Sequence, residues 1–256
     1  MTDSAGRTAL DAGRVESRTS EGVATVTFSH PKSNSLPAAL LKQLAAAIEG
    51  AGKDPATRVI VLASGGSGVF CAGASFEEFR AVKDAAQGRE FFSGFARVIL
   101  AMIRAPQFVV CRIQGKTAGG GVGLAAASDY AIATAASALK LSELAVGIGP
   151  FVVGPVIERK IGLAAMSAIT VDADWRDAEW GRQQALYAEV VEDIPALDAR
   201  VDAFATKLAG YNPEAVRRLK EIFWKDTGDW ERLLTDRAGM SGTLVLSEYT
   251  RKAIGS

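Results

Sequence analysis

Apolar positions along the chain switch between a strand-like and a helix-like pattern. Val23 to Phe28 is rich in β-branched and aromatic residues and predicts an early strand, broken by Ser29-His30-Pro31. Pro37 opens a helical pattern in which Leu40, Leu41, Leu44 and Ile48 recur at three- and four-residue spacing, ending near Gly50 to Gly52. The apolar run Val59 to Ala63 predicts a buried strand. Phe91, Phe92, Phe95, Val98, Ile99 and Met102 mark a second amphipathic helix, stopped by Pro106 before another strand-like run, Phe108 to Ile113. Strand, helix and strand in repetition predict α/β layering.

Strand signals stop near residue 195. Leu197, Val201, Phe204 and Leu208 mark one helix, Asn212-Pro213 punctuates, and Val216, Leu219, Ile222 and Phe223 mark the next. A third helical region from Asp229 to Ile254 carries Trp230, Leu233, Leu234, Leu244 and Leu246, with Gly239 and Gly242 weakening its middle. This apolar tail packs either on its own domain or between subunits. The pattern divides the chain into a flexible N-terminus over 1–13, an α/β core over 14–195 and a helical region over 196–256.

Two glycine-centred segments each follow a predicted strand: Phe70-Cys71-Ala72-Gly73-Ala74-Ser75-Phe76 and Ala118-Gly119-Gly120-Gly121-Val122-Gly123-Leu124. Glycine lets backbone approach a ligand and aim N–H groups at it, so the pair reads as two halves of one anion site. The alternative is a pair of tight turns with no ligand.

Composition narrows the chemistry. Lys plus Arg and Asp plus Glu are balanced at 29 each in 256 residues, so no global field favours nucleic acid or an anionic membrane. No run reaches the roughly 18 to 20 apolar residues of a membrane span. Two cysteines, Cys71 and Cys111, make no disulfide framework, and a cytoplasmic location is expected. The single histidine, His30, reads as a solvated turn residue, which argues against a Ser-His-Asp hydrolase and a histidine metal site. No metal is expected.

These segments, together with Asn34, Gln114-Gly115, Asp129 and Ser142-Glu143-Leu144-Ala145-Val146-Gly147, resemble the crotonase superfamily, the enoyl-CoA hydratase and isomerase group, along nearly the whole chain. The resemblance implies a crotonase-like spiral of ββα units with a C-terminal helical oligomerisation region, and a homotrimer or dimer of trimers. It implies an acyl-CoA thioester substrate, with coenzyme A part of that substrate and no separate cofactor. Its oxyanion donors fall on the backbone N–H groups of Ala74 and Gly120, with substrate contacts expected from Cys71, Ala72, Gly73, Ser75, Phe76, Gly119, Gly121 and Gly123. Preorganised donors of this kind stabilise the negative oxygen of a thioester enolate. Glu143 aligns with a catalytic glutamate of the group. Flanked by Leu139, Leu141 and Leu144, it would have its pKa raised by desolvation toward neutrality, where a carboxyl can both take and give a proton.

Gly123 stands where hydratases of the group carry a second glutamate, which tilts the reading toward an isomerase that shuttles one proton. Asp172, Asp174 and Glu179 are acids by type only and read as solvated. Gly147 to Pro155, with Pro150 and Phe151, reads equally as an acyl-pocket wall or as a connection into a helix around Ile157 to Ile161. Ser75, where the group usually has an acidic residue, bears on loop anchoring. Two rivals remain. One is a catalytically silent acyl-CoA binding or scaffold protein of the same fold. The other, remote, is a nicotinamide-dependent dehydrogenase built on Gly121-Val122-Gly123-Leu124-Ala125-Ala126; those glycines lie well past the strand end at Ile113, where a dinucleotide fingerprint would not place them.

Overall fold

The computed structural model of the protein describes residues 13–255. Residues 1 to 12 of the segment expected to be flexible lie outside the described residues. A six-stranded sheet forms the frame, in the order β1 (Arg14–Ser20), β2 (Val23–Ser29), β3 (Val59–Ser64), β4 (Phe108–Ile113), β6 (Tyr130–Thr134) and β9 (Glu189–Val191). Only β1 and β2 pair antiparallel; every later neighbour is parallel. A small second sheet joins β5 (Thr117–Ala118), β7 (Ala138–Lys140) and β8 (Arg176–Asp177).

Burial explains why β2, β3 and β4 read clearly and β1 did not; β6 and β9 also went unpredicted. All six residues of β3 are buried, because both faces of the large sheet are covered there. One face packs on α1 (Ala38–Lys53), α3 (Ala85–Arg104) and α4 (Gly120–Ala127). The other packs Val59, Val61, Val110 and Ile132 against Leu197, Val201, Ala205 and Leu208 of α7 (Ile194–Ala209). Strand β2 alternates, with Ala24, Val26 and Phe28 buried. Strand β1 is almost wholly exposed and polar, so no hydrophobic pattern announces it.

Each turn of the spiral sends one strand to the large sheet and an extended stretch to the smaller layer. There, Leu36 bridges Ala74 and Cys71 bridges Thr117, so the first glycine segment joins the layer that contains β5 and β7. After it come α2 (Phe76–Ala81) and α3; after β7 come a short 3₁₀ turn (Leu144–Val146), α5 (Gly154–Asp172) and α6 (Ala178–Gln183). Gly162, at φ 77°, interrupts α5.

Beyond β9 the described chain is helical: α7, α8 (Pro213–Phe223), α9 (Trp230–Leu244) and α10 (Glu248–Ile254). Helix α9 lays Trp230, Leu234 and Ala238 into the protein's own core beside α3. That settles much of the tail's apolar face on its own domain. The two helices approach so closely that a Cβ on Gly88 would lie 2.6 Å from Gly242 Cα. Gly242 therefore does not break the helix, as its propensity suggests; it permits the crossing, and the break falls at Val245 to Ser247. Among the described residues, no helix is long and apolar enough to cross a membrane.

Candidate active site

The first glycine segment is held from behind by Asn34. At φ 53° its side chain folds into the turn, accepting from His30 N (2.9 Å) and donating to Gly65 O (2.9 Å) and Val69 O (2.8 Å). His30 is itself buried, its Nδ1 within hydrogen-bonding distance of Lys32 N and Ser35 Oγ. This reverses the solvated reading: the imidazole closes a turn that the sequence shows only as a Pro-containing break.

Leu36 then fixes the peptide plane. Its N–H donates to Gly73 O (2.8 Å) and its carbonyl accepts from Ser75 N (3.2 Å), a parallel bridge centred on Ala74. In such a bridge Ala74's own N–H points away from Leu36. Ser75 caps α2, its Oγ accepting from Glu78 N.

The second segment lies against the first. Ala118 N donates to Cys71 O (2.8 Å), and a Cβ at Gly73 would stand 3.3 Å from Ala118 O and 3.7 Å from Gly120 N. With φ at 89°, Gly73 also adopts a backbone that side chains disfavour. Gly119, at φ 51°, turns the chain into α4, which starts at Gly120 and leaves its first N–H groups outside the helical ladder.

Glu143 completes the group. A Cβ on Gly119 would lie 3.0 Å from Glu143 Oε1, so the carboxylate reaches the turn that begins α4. Its Oε2 is buried and has no hydrogen-bond partner among the described residues. Burial pushes its pKa from 4.5 up to about 7, while the backbone amides of Glu143 and Ser142 draw it part of the way back. Leu139 and Leu141 are buried as the sequence suggests, whereas Leu144 is exposed.

A cavity of about 170 Å³ connects these parts. Ala72, Gly73, Ala74, Phe76, Gly119 and Gly120 line it together with Pro150 and Phe151. Residues 149–153 thus form wall as well as connection. Among the described residues, Glu143 is the only charged one in the wall.

Residues 18–245 match the family model described as enoyl-CoA hydratase/isomerase. The chain belongs to the enoyl-CoA hydratase/isomerase family. It is 31% identical over 167 residues to mitochondrial methylglutaconyl-CoA hydratase of Rattus norvegicus, covering 65% of this chain and 53% of that protein. It is 24% identical over 211 residues to trans-2-decenoyl-acyl-carrier-protein isomerase of Streptococcus mutans, covering 80% of each. The chain spans about half the length of the first curated relatives it matches. The solved enoyl-CoA hydratase of Bacillus halodurans superposes with a TM-score of 0.86 at 20% identity, covering 94% of this chain and 98% of that one, a likeness of fold. The crotonase fold is thereby shown.

Four family-motif residues take packing positions outside the cavity wall. Cys71 is fully buried, with its thiol pKa pushed up to about 12 by burial, and Ser75 serves as the helix cap. A Cβ on Gly121 would meet Cys71 Cβ at 2.8 Å, and one on Gly123 would meet Val153 Cγ1 at 2.6 Å with Ile99 close behind. Asp172 and Glu179 pair with Arg176 and Arg182, outside the cavity. Gly121 and Gly123 lie inside α4, past the Gly119 turn that follows β5, rather than in the strand-to-helix turn that a dinucleotide site requires.

The sequence reading missed Phe79, Phe91, Phe92, Phe95, Ser142 and Ser241 as wall residues. The phenylalanines of α3 were visible as one helix face. Ser241 carried no signal, because only the Gly88–Gly242 crossing brings α9 to the cavity.

Proposed function

We propose that this protein is an acyl-CoA thioester enzyme of the isomerase type. Ala74 and Gly120 donate backbone N–H bonds to the thioester oxygen, and Glu143 carries a proton between two carbons of the bound acyl group. The observation that carries the reading is the carboxyl of Glu143: its Oε2 has no partner among the described residues, it is poised near neutrality, and it stands beside the turn that presents Gly120. Removing a proton next to a thioester places negative charge on its oxygen, and two fixed N–H donors in a low-dielectric cavity stabilise that enolate. The same carboxyl, now protonated, returns the proton at the far carbon. A pKa of about 7 suits both halves of this cycle.

Isomerisation is favoured over hydration because the described residues of the wall include one carboxylate. Addition of water is helped by a second acid or base, and the position that would supply it, Gly123, is packed against Val153. A 3-enoyl thioester should therefore develop the conjugated 2-enoyl absorbance faster than a 2-enoyl thioester loses it to water. Faster hydration would overturn the isomerase assignment, and binding without either reaction would leave a scaffold.

A homotrimer or dimer of trimers accompanies this reading. Supporting it, Leu163, Val171 and Trp175 stand exposed along α5 and just after it, and Ile222 and Phe223 at the end of α8. Sedimentation at micromolar concentration tests it; a monomer would refute it.

A further inference from the structure

We propose that the acyl subsite accepts a compact, uncharged apolar group of about six carbons, the size of guest that an apolar cavity of ~150 Å³ takes up, and rejects acyl groups that end in a carboxylate. The inference rests on the thioester reading above and names its substrate class.

The size limit comes from walls that cannot retreat. Phe79, Phe91 and Phe92 interlock, with centroids 5.0 Å apart for Phe91–Phe92, 5.9 Å for Phe79–Phe92 and 6.1 Å for Phe79–Phe91. Moving one ring means moving all three. Ser241 contributes wall from α9, which is fixed to α3 by the glycine crossing at Gly88 and Gly242. The space between these walls is about 170 Å³, and the thioester itself must occupy part of it.

The charge limit comes from what the wall lacks. Its polar side chains are Glu143 and the hydroxyls of Ser142 and Ser241, with no lysine, arginine or histidine among the described wall residues. Neither guanidinium nearby lines the cavity. Arg80 lies over the Phe76 ring, 4.8 Å from its centroid, and Arg251 donates to Arg80 O (3.2 Å) and Val82 O (2.5 Å). A terminal carboxylate would be buried without a counter-charge and would face the charge of Glu143 in its basic form.

Saturated thioesters test the subsite without requiring turnover. Calorimetric titration with hexanoyl-CoA, adipoyl-CoA and dodecanoyl-CoA should give hexanoyl-CoA the lowest Kd, by at least about tenfold over each of the others. A smaller margin over either overturns the proposal while leaving the thioester reading in place. Failure of all three to bind refutes both. Phe92→Ala, at the most accessible of the three rings, should narrow the hexanoyl-to-dodecanoyl ratio by about fivefold or more as space opens. An unchanged ratio would remove the aromatic wall as the size limit.

Discussion

Asp129 and Glu143 are two carboxylates taken out of water in opposite ways. Asp129 Oδ2 accepts from Val109 N (2.7 Å) and Lys220 Nζ (2.7 Å), and Oδ1 accepts from Trp224 Nε1 (3.0 Å). Lys220 spends its other donors on Met102 O (2.8 Å) and Gln107 O (2.9 Å), and the side chains of the pair are only 3% and 7% exposed. Burial lowers the Lys220 pKa, with Asp129 opposing that shift. Glu143 has an orphaned Oε2 and a pKa pushed up to about 7. Both residues belong to the motif that resembled the family. Partnership, not burial, separates them: the satisfied acid ties α8 to the sheet, and the unsatisfied one is free to exchange a proton.

The contrast predicts opposite signs on mutation. The largest effect should come from Asp129→Ala, which strands a buried lysine and should destabilise the fold by about 3 to 5 kcal/mol in chemical denaturation. Adding Lys220→Met should recover part of that loss, and a cost under about 1 kcal/mol for the single mutant would remove Asp129 as an anchor. Glu143→Gln should do the reverse. The native carboxyl holds its proton up to about 7, whereas its ordinary value is 4.5. The wild type therefore loses stability as pH rises from 4.5 through about 7. A glutamine does not titrate, so the variant should be no different near pH 4 and more stable by up to about 3 kcal/mol near pH 8. A pH-independent difference would show that desolvation of Glu143 is not stored in the fold.

The smallest effect sharpens the boundary of the anchored cluster. Lys160 Nζ donates to Ser128 O (2.9 Å) and, at 3.5 Å, to Asp129 O, without bonding the Asp129 carboxylate. Lys160→Met should cost about 1 to 2 kcal/mol, the worth of one good hydrogen bond and one long one. A loss as large as that of Asp129→Ala would make Lys160 an equal member of the ion cluster.

The middle of the frame was legible because β3 and β4 are covered on both faces and α1 and α3 on one, so burial wrote the apolar pattern directly into the chain; β6 and β9 were not singled out. Strand β1 escaped because backbone pairing to β2, rather than burial, holds it in place. The two glycine segments and Glu143 were legible as a motif, since close backbone approach restricts residue type at Gly73, Gly119 and Gly120. Gly120 faces the Phe95 ring, into which any Cβ would run, so its identity reports packing as well as ligand access. The orphaned state of Glu143, the enclosure of His30 and the arrival of Ser241 at the cavity are tertiary facts. Each depends on residues distant in sequence, and no local pattern encodes them.

The central claim is that Glu143 moves the proton. Exchange of the α-protons of a bound saturated acyl-CoA with deuterated water, followed by mass spectrometry, measures that step without requiring a particular double bond. The account predicts exchange in the wild type, rising with pH through about 7 as the carboxyl becomes a base, and a fall of about 10² to 10⁴-fold in Glu143→Gln with acyl-CoA binding retained. Exchange undiminished in Glu143→Gln would contradict it.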